Sequence, residues 1–308
     1  MLIDVIIVNW NAGLQLHQCV ASIIQHGGPQ LGQIVVVDNG SIDGSETAIE
    51  GLPKVTLIRA GANLGFSKAC NLGASHTSRE FLLFLNPDTR LFPDSLTRAL
   101  DFMQKPGNEK VGICGVQLID EEGHVARSCA RFPTASGFVA HAVGLDRVFR
   151  SLGHFMGDWD HADTRRVDHV IGAFFLVRRC VFEATQGFDE MFFVYLEDLD
   201  FSYRARQLGW FSVYLADARA FHAGGGTSRQ VKAARLFYSL RSRILYAFKH
   251  FNASAATVVL LATLFIEPVS RSVLALGRRS WPSMKETWSA YGMLYCWLPN
   301  WIFRGETH

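Results

Sequence analysis

Within its first 85 residues the chain repeats a short apolar run followed by a segment with helical periodicity. The apolar runs, rich in branched aliphatic side chains, lie at Leu2–Val8, Ile34–Val37, Val55–Ile58 and Phe81–Leu85. The helical patterns between them lie at Leu14–Gln25, Gly44–Glu50 and Ser67–His76. Continuous apolar strands separated by helices are typical of a parallel sheet that is covered on both faces. The sequence therefore predicts an α/β fold with a mostly parallel central sheet.

The rest of the chain is less regular. We predict a hairpin in which a strand at Val111–Ile119 returns through residues 124–131, and a helix around Phe138–Phe149 in the long segment that follows. Further on, the patterns predict a strand at Val170–Val177, a helix at Glu197–Leu208 closed by Gly209, a strand at Phe211–Leu215, and mostly helices beyond residue 230.

The composition excludes several classes of protein. Of the 308 residues, 49% are hydrophobic and 19% are charged, which supports a large core and argues against disorder. The net charge of +2 gives no signal for nucleic-acid binding. The six cysteines are scattered and form no C-x-x-C pair, so neither a zinc site nor a disulfide framework is indicated. Most of them are expected to be small buried side chains in a reducing compartment.

Polar residues follow three predicted strands and open one predicted helix. Because ligands of open α/β sheets bind beyond the carboxyl ends of the strands, these residues are candidates for a binding site. They are Asn9, Trp10 and Asn11; Asp38, Asn39 and Gly40; Asn86 and Asp88; and, at the helix, Asn63, Gly65 and Lys68.

Asp38 has two interpretations that can hold together. Its carboxylate can accept a hydrogen bond from the ring N–H of a pyrimidine, while Gly40 permits close backbone approach. The segment also fits an Asx-turn in which Ser41 or Asp43 caps the next helix. It is not a G-x-G-x-x-G fingerprint, so binding of a dinucleotide by an oxidoreductase is disfavoured.

Asp88 is the candidate metal ligand. Mg²⁺ is usually held by one or two carboxylates together with substrate phosphates, although Asn86-Pro87-Asp88 is also a common turn sequence. His222 follows a strand and precedes Gly224-Gly225-Gly226, where it is equally compatible with a metal ligand and with a structural histidine.

Glu197 and Asp198 begin a predicted helix, where the helix dipole by itself favours acidic residues. Their apolar and aromatic neighbours at 192–196 also make them candidates for a general base, because carboxylates framed by apolar surface have perturbed pKa values.

Taken in order, these segments resemble the inverting family 2 glycosyltransferases of GT-A fold, and more closely the rhamnosyltransferase-like branch that builds bacterial surface polysaccharides. The resemblance covers about residues 1–228. It rests on Val8-Asn9-Trp10-Asn11, Val36-Val37-Asp38-Asn39-Gly40-Ser41, Asn63-Leu64-Gly65-Phe66, Leu85-Asn86-Pro87-Asp88-Thr89, Gly172-Ala173-Phe174-Phe175, Gly187-Phe188-Asp189-Glu190 and Tyr195-Leu196-Glu197-Asp198.

The resemblance implies a role for each group. Asp38 would hold the pyrimidine base of the donor, and Asp88 would bind Mg²⁺ or Mn²⁺ on its diphosphate, with His222 as a further ligand. Asn86 replaces the first acid of the family's D-x-D motif. Asp198 would be the catalytic base, with Glu197 beside it. The remaining donor-binding candidates are Asn9, Trp10, Asn11, Asn39, Gly40, Asn63, Gly65, Lys68 and Asn86.

The chemistry needed by such an enzyme agrees with these residue types. An inverting transfer requires a base for the acceptor hydroxyl and a cation for the departing diphosphate. The resemblance implies transfer of L-rhamnose from dTDP-L-rhamnose to a polyprenyl-diphosphate-linked glycan, that is, a hexosyltransferase. The alternatives are a UDP-hexose-dependent transferase of the same fold and a non-catalytic nucleotide-sugar-binding assembly protein.

The C-terminal region differs in composition from the preceding domain. An apolar run of 14 residues, Ala253–Ile266, is flanked by arginines and followed by several Trp and Tyr residues, and Glu267-Pro268 is expected to interrupt it. Since a spanning helix needs about 20 apolar residues, we predict a monotopic element on the cytoplasmic face of the inner membrane. An ordinary helical subdomain or an oligomer interface, including a homodimer, is the alternative. The predicted domains are 1–228 (GT-A) and 229–308 (helical, membrane-interfacial).

Overall fold

The structure is a computed structural model that describes residues 1–224 and 231–307. Its strands are β1 (Ile3–Asn9), β2 (Leu31–Asp38), β3 (Val55–Arg59), β4 (Phe81–Leu85), β5 (Thr89–Leu91), β6 (Val111–Ile119), β7 (Cys129–Ala130), β8 (Arg165–Val167), β9 (His169–Val170), β10 (Phe174–Arg178) and β11 (Phe211–His222). Its α-helices are α1 (Leu14–His26), α2 (Phe66–Ser75), α3 (Ser95–Gln104), α4 (Ala135–Ala142), α5 (Arg179–Ala184), α6 (Glu197–Gln207), α7 (Lys232–His250), α8 (Ala253–Leu261), α9 (Glu267–Gly277) and α10 (Trp281–Arg304).

One large sheet organises the first two thirds of the chain. In the described residues it has the strand order β3-β2-β1-β4-β10-β6-β11-β5, with β8 paired to β11. The neighbours β3, β2, β1 and β4 are parallel, and β6 and β11 run in the same direction beyond the antiparallel β10. The prediction of a mostly parallel α/β sheet is therefore confirmed.

Helices cover both faces of this sheet. On one face, Ile3, Val5 and Ile7 of β1 belong to the same buried cluster as the apolar side of α1. On the other face, Ile6 packs against Gly73 of α2, where an added Cβ would lie 2.5 Å from Ile6 Cγ2. Because β1, β2 and β4 are parallel and in register, their carboxyl ends and the polar residues after them share one edge.

The predicted hairpin after β6 is wrong. Strand β7 pairs with β9, and the return toward β6 consists of a single bridge between Ile119 and Val125. The positions beside β6 in the sheet are taken by β10 and β11, whose side chains are more apolar than those of the returning segment. Strand β6 thus pairs with β10 and β11, which are distant in sequence, instead of with the adjacent segment that the turn sequence predicted.

Four other predicted elements differ in extent. The 44–50 pattern forms a 3-10 helix at Ser45–Ile49, and the predicted 138–149 helix ends at Ala142 because Gly144 adopts a positive φ of 80°. The predicted 170–177 strand is split into β9 and β10, with the N–H of Gly172 donated to a side chain instead of a neighbouring strand. The last strand extends beyond 215 to His222.

The chain divides into two compact units. Among the described residues, the first comprises 1–131, 159–190 and 197–224, and contains the sheet. The second comprises 132–158, 191–196 and 231–307, and is helical. The predicted domain boundary at 228/229, and Gly225 and Gly226 beside His222, lie outside the described residues.

In the helical unit, α8 and α9 form one continuous helix, so Glu267-Pro268 does not interrupt it as predicted. A π-helical turn at Ala262–Ile266 joins the two parts. Pro268 has no N–H to donate to the carbonyl groups one turn earlier. The hydroxyl of Tyr291 donates to Thr263 O at 3.0 Å, and that of Tyr295 donates to Leu264 O at 2.8 Å. Two tyrosines of α10 therefore replace the missing backbone donor.

The helix Ala253–Gly277 has two different sides. One side carries Glu267, which is 1% exposed and bonded to Arg243 and Arg271. The other side exposes a stripe of apolar residues, Val258, Leu261, Phe265, Val269, Val273 and Leu276. In the described residues this is the one helix long and apolar enough to cross a membrane, and 39% of its most apolar stretch is buried within the chain.

Candidate active site

The loop after β2 is organised around the buried carboxylate of Asp38. The side-chain amide of Asn9 donates to Asp38 Oδ1 at 2.9 Å, and the backbone N–H of Ser41 donates to Oδ2 at 3.3 Å. Asn9 Nδ2 also lies 2.8 Å from Ser45 Oγ. These bonds bring two predicted donor-binding residues together and fix the carboxylate, whose oxygens can each accept a further hydrogen bond.

The N-cap of the following 3-10 helix is Gly44, so neither Ser41 nor Asp43 caps it as predicted, and Asp43 instead forms the Asx-turn. It accepts hydrogen bonds from the backbone N–H and the hydroxyl of Ser45 at 3.1 and 2.7 Å. The backbone N–H of Asn11 donates to Ser41 Oγ at 3.0 Å, which joins the ends of β1 and β2. Trp10 and Asn11 are both half-buried at this edge of the sheet.

A second bonded group connects the loop after β2 to the start of α2. The side-chain amide of Asn39 donates to Asn63 Oδ1 at 2.9 Å, and the same oxygen accepts the N–H of Gly65 at 3.0 Å. Lys68, in the first turn of α2, is exposed. The predicted residues Asn39, Asn63 and Gly65 therefore form one bonded structure.

Gly40 lies where this structure leaves no room for a side chain. Its φ is 75°, and an added Cβ would lie 2.9 Å from the carbonyl carbon of Ala62 and 3.0 Å from the nitrogen of Asn63. Both neighbours are backbone atoms that cannot rotate away. The close approach predicted for this glycine is therefore present, between two loops at the end of the sheet.

Asp88 and His222 form the first of two histidine–aspartate pairs. Strand β5 pairs antiparallel with the end of β11, with Thr89 opposite His222. His222 Nε2 lies 3.3 Å from Asp88 Oδ1. This nitrogen is buried and has no hydrogen-bond partner among the described residues.

The Asp88–His222 pair fits a divalent cation. The buried Nε2 of His222 can act as a nitrogen ligand, and the carboxylate of Asp88 beside it can act as an oxygen ligand. Two ligands at right angles on an ion with bonds of about 2.1 Å lie about 3 Å apart, close to the distance observed. The pair therefore offers a divalent cation one nitrogen ligand and one oxygen ligand.

Asp198 is the carboxylate best placed to meet a substrate. Its side chain is 18% exposed, and Oδ2 accepts the backbone N–H of Gly172 at 2.7 Å. Oδ1 accepts the N–H of Leu199 at 2.8 Å. The carboxylate therefore has a fixed orientation and remains accessible.

Glu197 has the opposite environment. It is 6% exposed, and its Oε2 is buried with no hydrogen-bond partner among the described residues. Burial, together with the negative charges of Asp198 and Asp200, raises the pKa of Glu197 well above its ordinary value. Burial therefore favours the protonated form of Glu197.

His169 lies behind Asp198 and is fully buried. Its Nε2 is 3.6 Å from Asp198 Oδ2, and its Nδ1 is 3.2 Å from Ser202 Oγ. Ser202 donates its own hydroxyl proton to Asp198 O at 2.9 Å, so the hydrogen-bond network assigns the imidazole proton to Nδ1. Burial lowers the pKa of His169, although Asp198 and Asp168 oppose this shift. The unprotonated Nε2 of a neutral imidazole therefore faces the carboxylate.

A backbone dipeptide connects the two aspartates. The carbonyl of Ala173 accepts the N–H of Asn86 and the hydroxyl of Thr89, both at 3.2 Å, on either side of Asp88. The preceding residue, Gly172, donates to Asp198. The chain on either side of Asp88 is thus bonded to Ala173, and the carboxylate of Asp198 is bonded to the adjacent Gly172.

Sequence reasoning assigned no role to Gly172, Ala173, His169 or Ser202. Gly172 and Ala173 lie within a motif that carried the family resemblance. Ser202 lies four residues after Asp198, so helical spacing predicts that it is on the same face. The sequence does not show that His169 lies near Asp198, because its position depends on the pairing of β9 with β7.

Residues 4–185 match a protein-family model described as glycosyl transferase family 2, which is more than half of the chain. Among similar proteins, an N-acetylglucosaminyl-diphospho-decaprenol L-rhamnosyltransferase of Mycobacterium tuberculosis is 27% identical over 266 residues, covering 79% of this chain and 83% of that protein. The rhamnosyltransferase WbbL of Escherichia coli K12 is 25% identical over 197 residues, covering 61% of this chain and 71% of that protein.

Solved structures with the same fold include a mannosyltransferase, PcManGT from Pyrobaculum calidifontis, in complex with GDP-Man and Mn²⁺. It has a TM-score of 0.58 and 18% identity, covering 95% of this chain and 86% of that chain. TarS 1-349 of S. aureus in complex with UDP-GlcNAc has a TM-score of 0.57 and 15% identity, covering 93% and 79%. At these identities the similarity concerns the fold, and it confirms the predicted GT-A architecture.

Proposed function

The chain belongs to glycosyl transferase family 2, and we propose that it moves L-rhamnose from dTDP-L-rhamnose to a hydroxyl of a polyprenyl-diphosphate-linked glycan. The prediction that it is a glycosyltransferase is confirmed by the family. The sugar and the acceptor are proposed because two similar proteins are rhamnosyltransferases, one of them acting on a diphospho-decaprenol-linked sugar.

The observation that carries the proposal is that the turn bearing Asp88 and the carboxylate of Asp198 are bonded to adjacent residues. Asp88 is bracketed by bonds to Ala173, and Asp198 is bonded to Gly172. One acid is paired with a nitrogen ligand and the other is accessible and oriented. A transfer with inversion needs these two functions close together, because the acceptor is deprotonated as the nucleotide departs.

In the proposed reaction, the acceptor hydroxyl attacks the anomeric carbon while its proton passes to the carboxylate of Asp198. The bond between the anomeric carbon and the diphosphate oxygen breaks, and the nucleoside diphosphate leaves with the bonding electrons. Asp38 would accept the ring N–H of the pyrimidine, with Asn9, Asn39 and Gly40 shaping the loop around it. Glu197, whose protonated form is favoured by burial, is assigned a supporting position beside Asp198.

A divalent cation held by Asp88 and His222 would neutralise the charge that develops on the leaving diphosphate. With Asn86 in place of the first acid of the family motif, the described site contains one carboxylate fewer. The imidazole of His222 supplies the additional ligand, which supports Mn²⁺ over Mg²⁺ at this site.

We propose that the helix Ala253–Gly277 lies on the cytoplasmic surface of the membrane. Its exposed apolar stripe occupies one side only, whereas the other side carries a buried carboxylate with two arginine partners. Amphipathic helices of this kind lie in the membrane interface, and ion pairs at the centre of a spanning helix are costly. A lipid-linked acceptor would be accessible there.

The test is a panel of donors with detergent-solubilised protein, Mn²⁺ and a polyprenyl-diphosphate-linked sugar acceptor. We expect release of dTDP from dTDP-L-rhamnose, loss of activity with a chelator, and little turnover of UDP-glucose, UDP-galactose, UDP-N-acetylglucosamine or GDP-mannose. Preference for a UDP-sugar would replace the proposed donor and keep the mechanism. Absence of turnover and of binding with every donor would favour the non-catalytic assembly protein.

A further inference from the structure

The helical unit contains a pocket of about 280 Å³ with an unusual charge. Its lining includes four cationic side chains and one carboxylate, namely Arg147, Lys232, Arg271, Arg278 and Glu286. Apolar side chains of α7 and α9 complete the wall, among them Leu236, Leu274 and Ala275. Mutual repulsion makes such a group of cations unfavourable unless counter-charges are present.

Carboxylates compensate only part of this charge. Glu286 lies 3.6 Å from Lys232, and Glu267 is bonded to Arg271 from behind the pocket. Arg147 and Arg278 are exposed, and neither has an ion-pair partner among the described residues. Arg243 also binds Glu267, so five cations are balanced by two carboxylates, which leaves an excess of three positive charges for a bound anion.

The pocket and the apolar stripe lie on opposite sides of α9. Arg271, Leu274 and Arg278 face the pocket. Val269, Val273 and Leu276, which are 59%, 63% and 59% exposed, are displaced by about half a turn. If the stripe is immersed by about 5–10 Å, the opposite side of a helix about 10 Å wide lies level with the lipid headgroups. Phosphate groups of membrane lipids are located at that depth.

We propose that this pocket binds the diphosphate group of a polyprenyl-diphosphate lipid. The inference rests on the proposed function, because the acceptor defines the class of lipid. A diphosphate diester carries two negative charges, which compensates most of the excess charge of the pocket. Planar guanidinium groups bind phosphate oxygens in a bidentate manner, and the apolar wall offers contact to the first isoprene units. A phosphodiester headgroup with a single charge matches the pocket less well.

The test compares binding to phosphatidylcholine vesicles with and without a synthetic polyprenyl diphosphate, measured by flotation of the full-length protein. Two exposed arginines of the pocket are replaced together, as Arg147→Gln and Arg278→Gln. We expect the double variant to lose about thirtyfold in affinity for the diphosphate vesicles, at roughly fivefold for each charge. Its binding to vesicles of phosphatidylcholine alone is expected to match that of the wild type.

The matched control is the double variant Arg279→Gln and Lys285→Gln, which removes the same charge from exposed residues outside the pocket. We expect it to keep wild-type affinity for the diphosphate vesicles. An equal loss in both double variants would show general electrostatic attraction and would overturn the proposal. Circular dichroism of all variants establishes that they are folded.

Two further arms separate the sources of the anion. Vesicles that contain phosphatidylglycerol test whether the pocket binds a phospholipid headgroup. The proposal would be contradicted if the pocket variant lost affinity for these vesicles and kept wild-type affinity for the polyprenyl diphosphate vesicles. Inorganic diphosphate and a short-chain prenyl diphosphate are compared as soluble competitors for vesicle binding. If both compete at the same concentration, the pocket binds anions without recognising the isoprene units, which would contradict the proposal. Neither experiment requires sugar transfer. If no donor is turned over but the pocket variant still loses affinity for the diphosphate vesicles, the proposed function is refuted and the lipid-binding pocket is not.

Discussion

His169 Nε2 lies 3.6 Å from Asp198 Oδ2, on the buried side of the carboxylate that Gly172 holds in place. A second pair, Asp88 and His222, lies on the other side of the Gly172-Ala173 segment. The two pairs have different chemistry. His222 has a buried nitrogen available for a metal, whereas His169 uses one nitrogen for Ser202 and turns the other toward a candidate base.

Asp198→Asn is expected to lower kcat by about 10²–10⁴-fold, because the amide cannot accept the acceptor's proton. Donor binding should remain, since Asp38, Asp88 and His222 are unchanged. Calorimetry with the donor, alongside single-turnover assays, checks both expectations. Retention of sugar transfer by Asp198→Asn would remove Asp198 from the role of base.

Glu197→Gln is the matched comparison. Because burial and its acidic neighbours raise the pKa of Glu197, its neutral form is favoured, and glutamine preserves the shape and charge of that form. We expect kcat to change far less than in Asp198→Asn. A comparable loss in Glu197→Gln would make Glu197 the proton acceptor instead.

Much of the site was accessible from sequence because its residues follow apolar strands. Asp38, Asp88 and Asp198 all lie where the pattern of strands and helices predicted, and the fold class followed from the same alternation. The pairing of β10 between β4 and β6 was not accessible, because it joins residues about 90 positions apart in the chain. The contacts of Gly172, Ala173 and His169 depend on that pairing and on β9, so local sequence contained no signal for them.

His169→Phe is expected to lower kcat about fivefold with little change in the KM for the donor, as loss of one neutral hydrogen bond, formed only when Asp198 is protonated, would do. The neutral imidazole presents an acceptor to Asp198 at the point where the carboxylate takes up a proton. His169→Gln, which keeps a polar group at this position, should recover part of the rate. If both variants lose stability and activity in parallel, His169 has only a packing role.

His222→Ala is expected to weaken Mn²⁺ activation at least tenfold, since it removes one of two ligands from the site. The apparent affinity for Mn²⁺ is measured by titration of activity and, independently of turnover, by the paramagnetic relaxation of water. His76→Ala removes an exposed histidine at the end of α2 and serves as the control. Equal Mn²⁺ affinity in His222→Ala and the wild type would exclude His222 as a ligand.

Gly40→Ala and Gly44→Ala differ in one respect. Both glycines have a positive φ, of 75° and 71°, so each substitution carries a similar backbone strain of about 1 kcal/mol. At Gly40 the new Cβ would also meet the backbone of Ala62 at 2.9 Å, whereas at Gly44 nothing lies within 4 Å. We expect Gly40→Ala to reduce donor affinity and Gly44→Ala to leave it nearly unchanged, as measured by calorimetry. Equal affinities in the two variants would separate this loop from donor binding.

Glu267 is expected to make the helical unit sensitive to acid. Burial by itself would raise the pKa of this carboxyl, but Arg243, Arg271 and His141 outweigh burial and lower the pKa from 4.5 to about 2. A group with a depressed folded-state pKa contributes stability that is fully present above pH 4.5 and is lost as the pH falls toward 2. The shift corresponds to a contribution of about 3 kcal/mol.

Thermal unfolding in detergent between neutral pH and pH 3 tests this expectation. Glu267→Gln should lower the unfolding free energy at neutral pH by about 3–5 kcal/mol, because it leaves the buried Arg243 without a counter-charge. The variant should also lose much of the acid dependence seen in the wild type. Glu306→Gln, at an exposed residue, should change neither quantity. An unchanged pH dependence in Glu267→Gln would mean that other carboxylates cause the acid sensitivity.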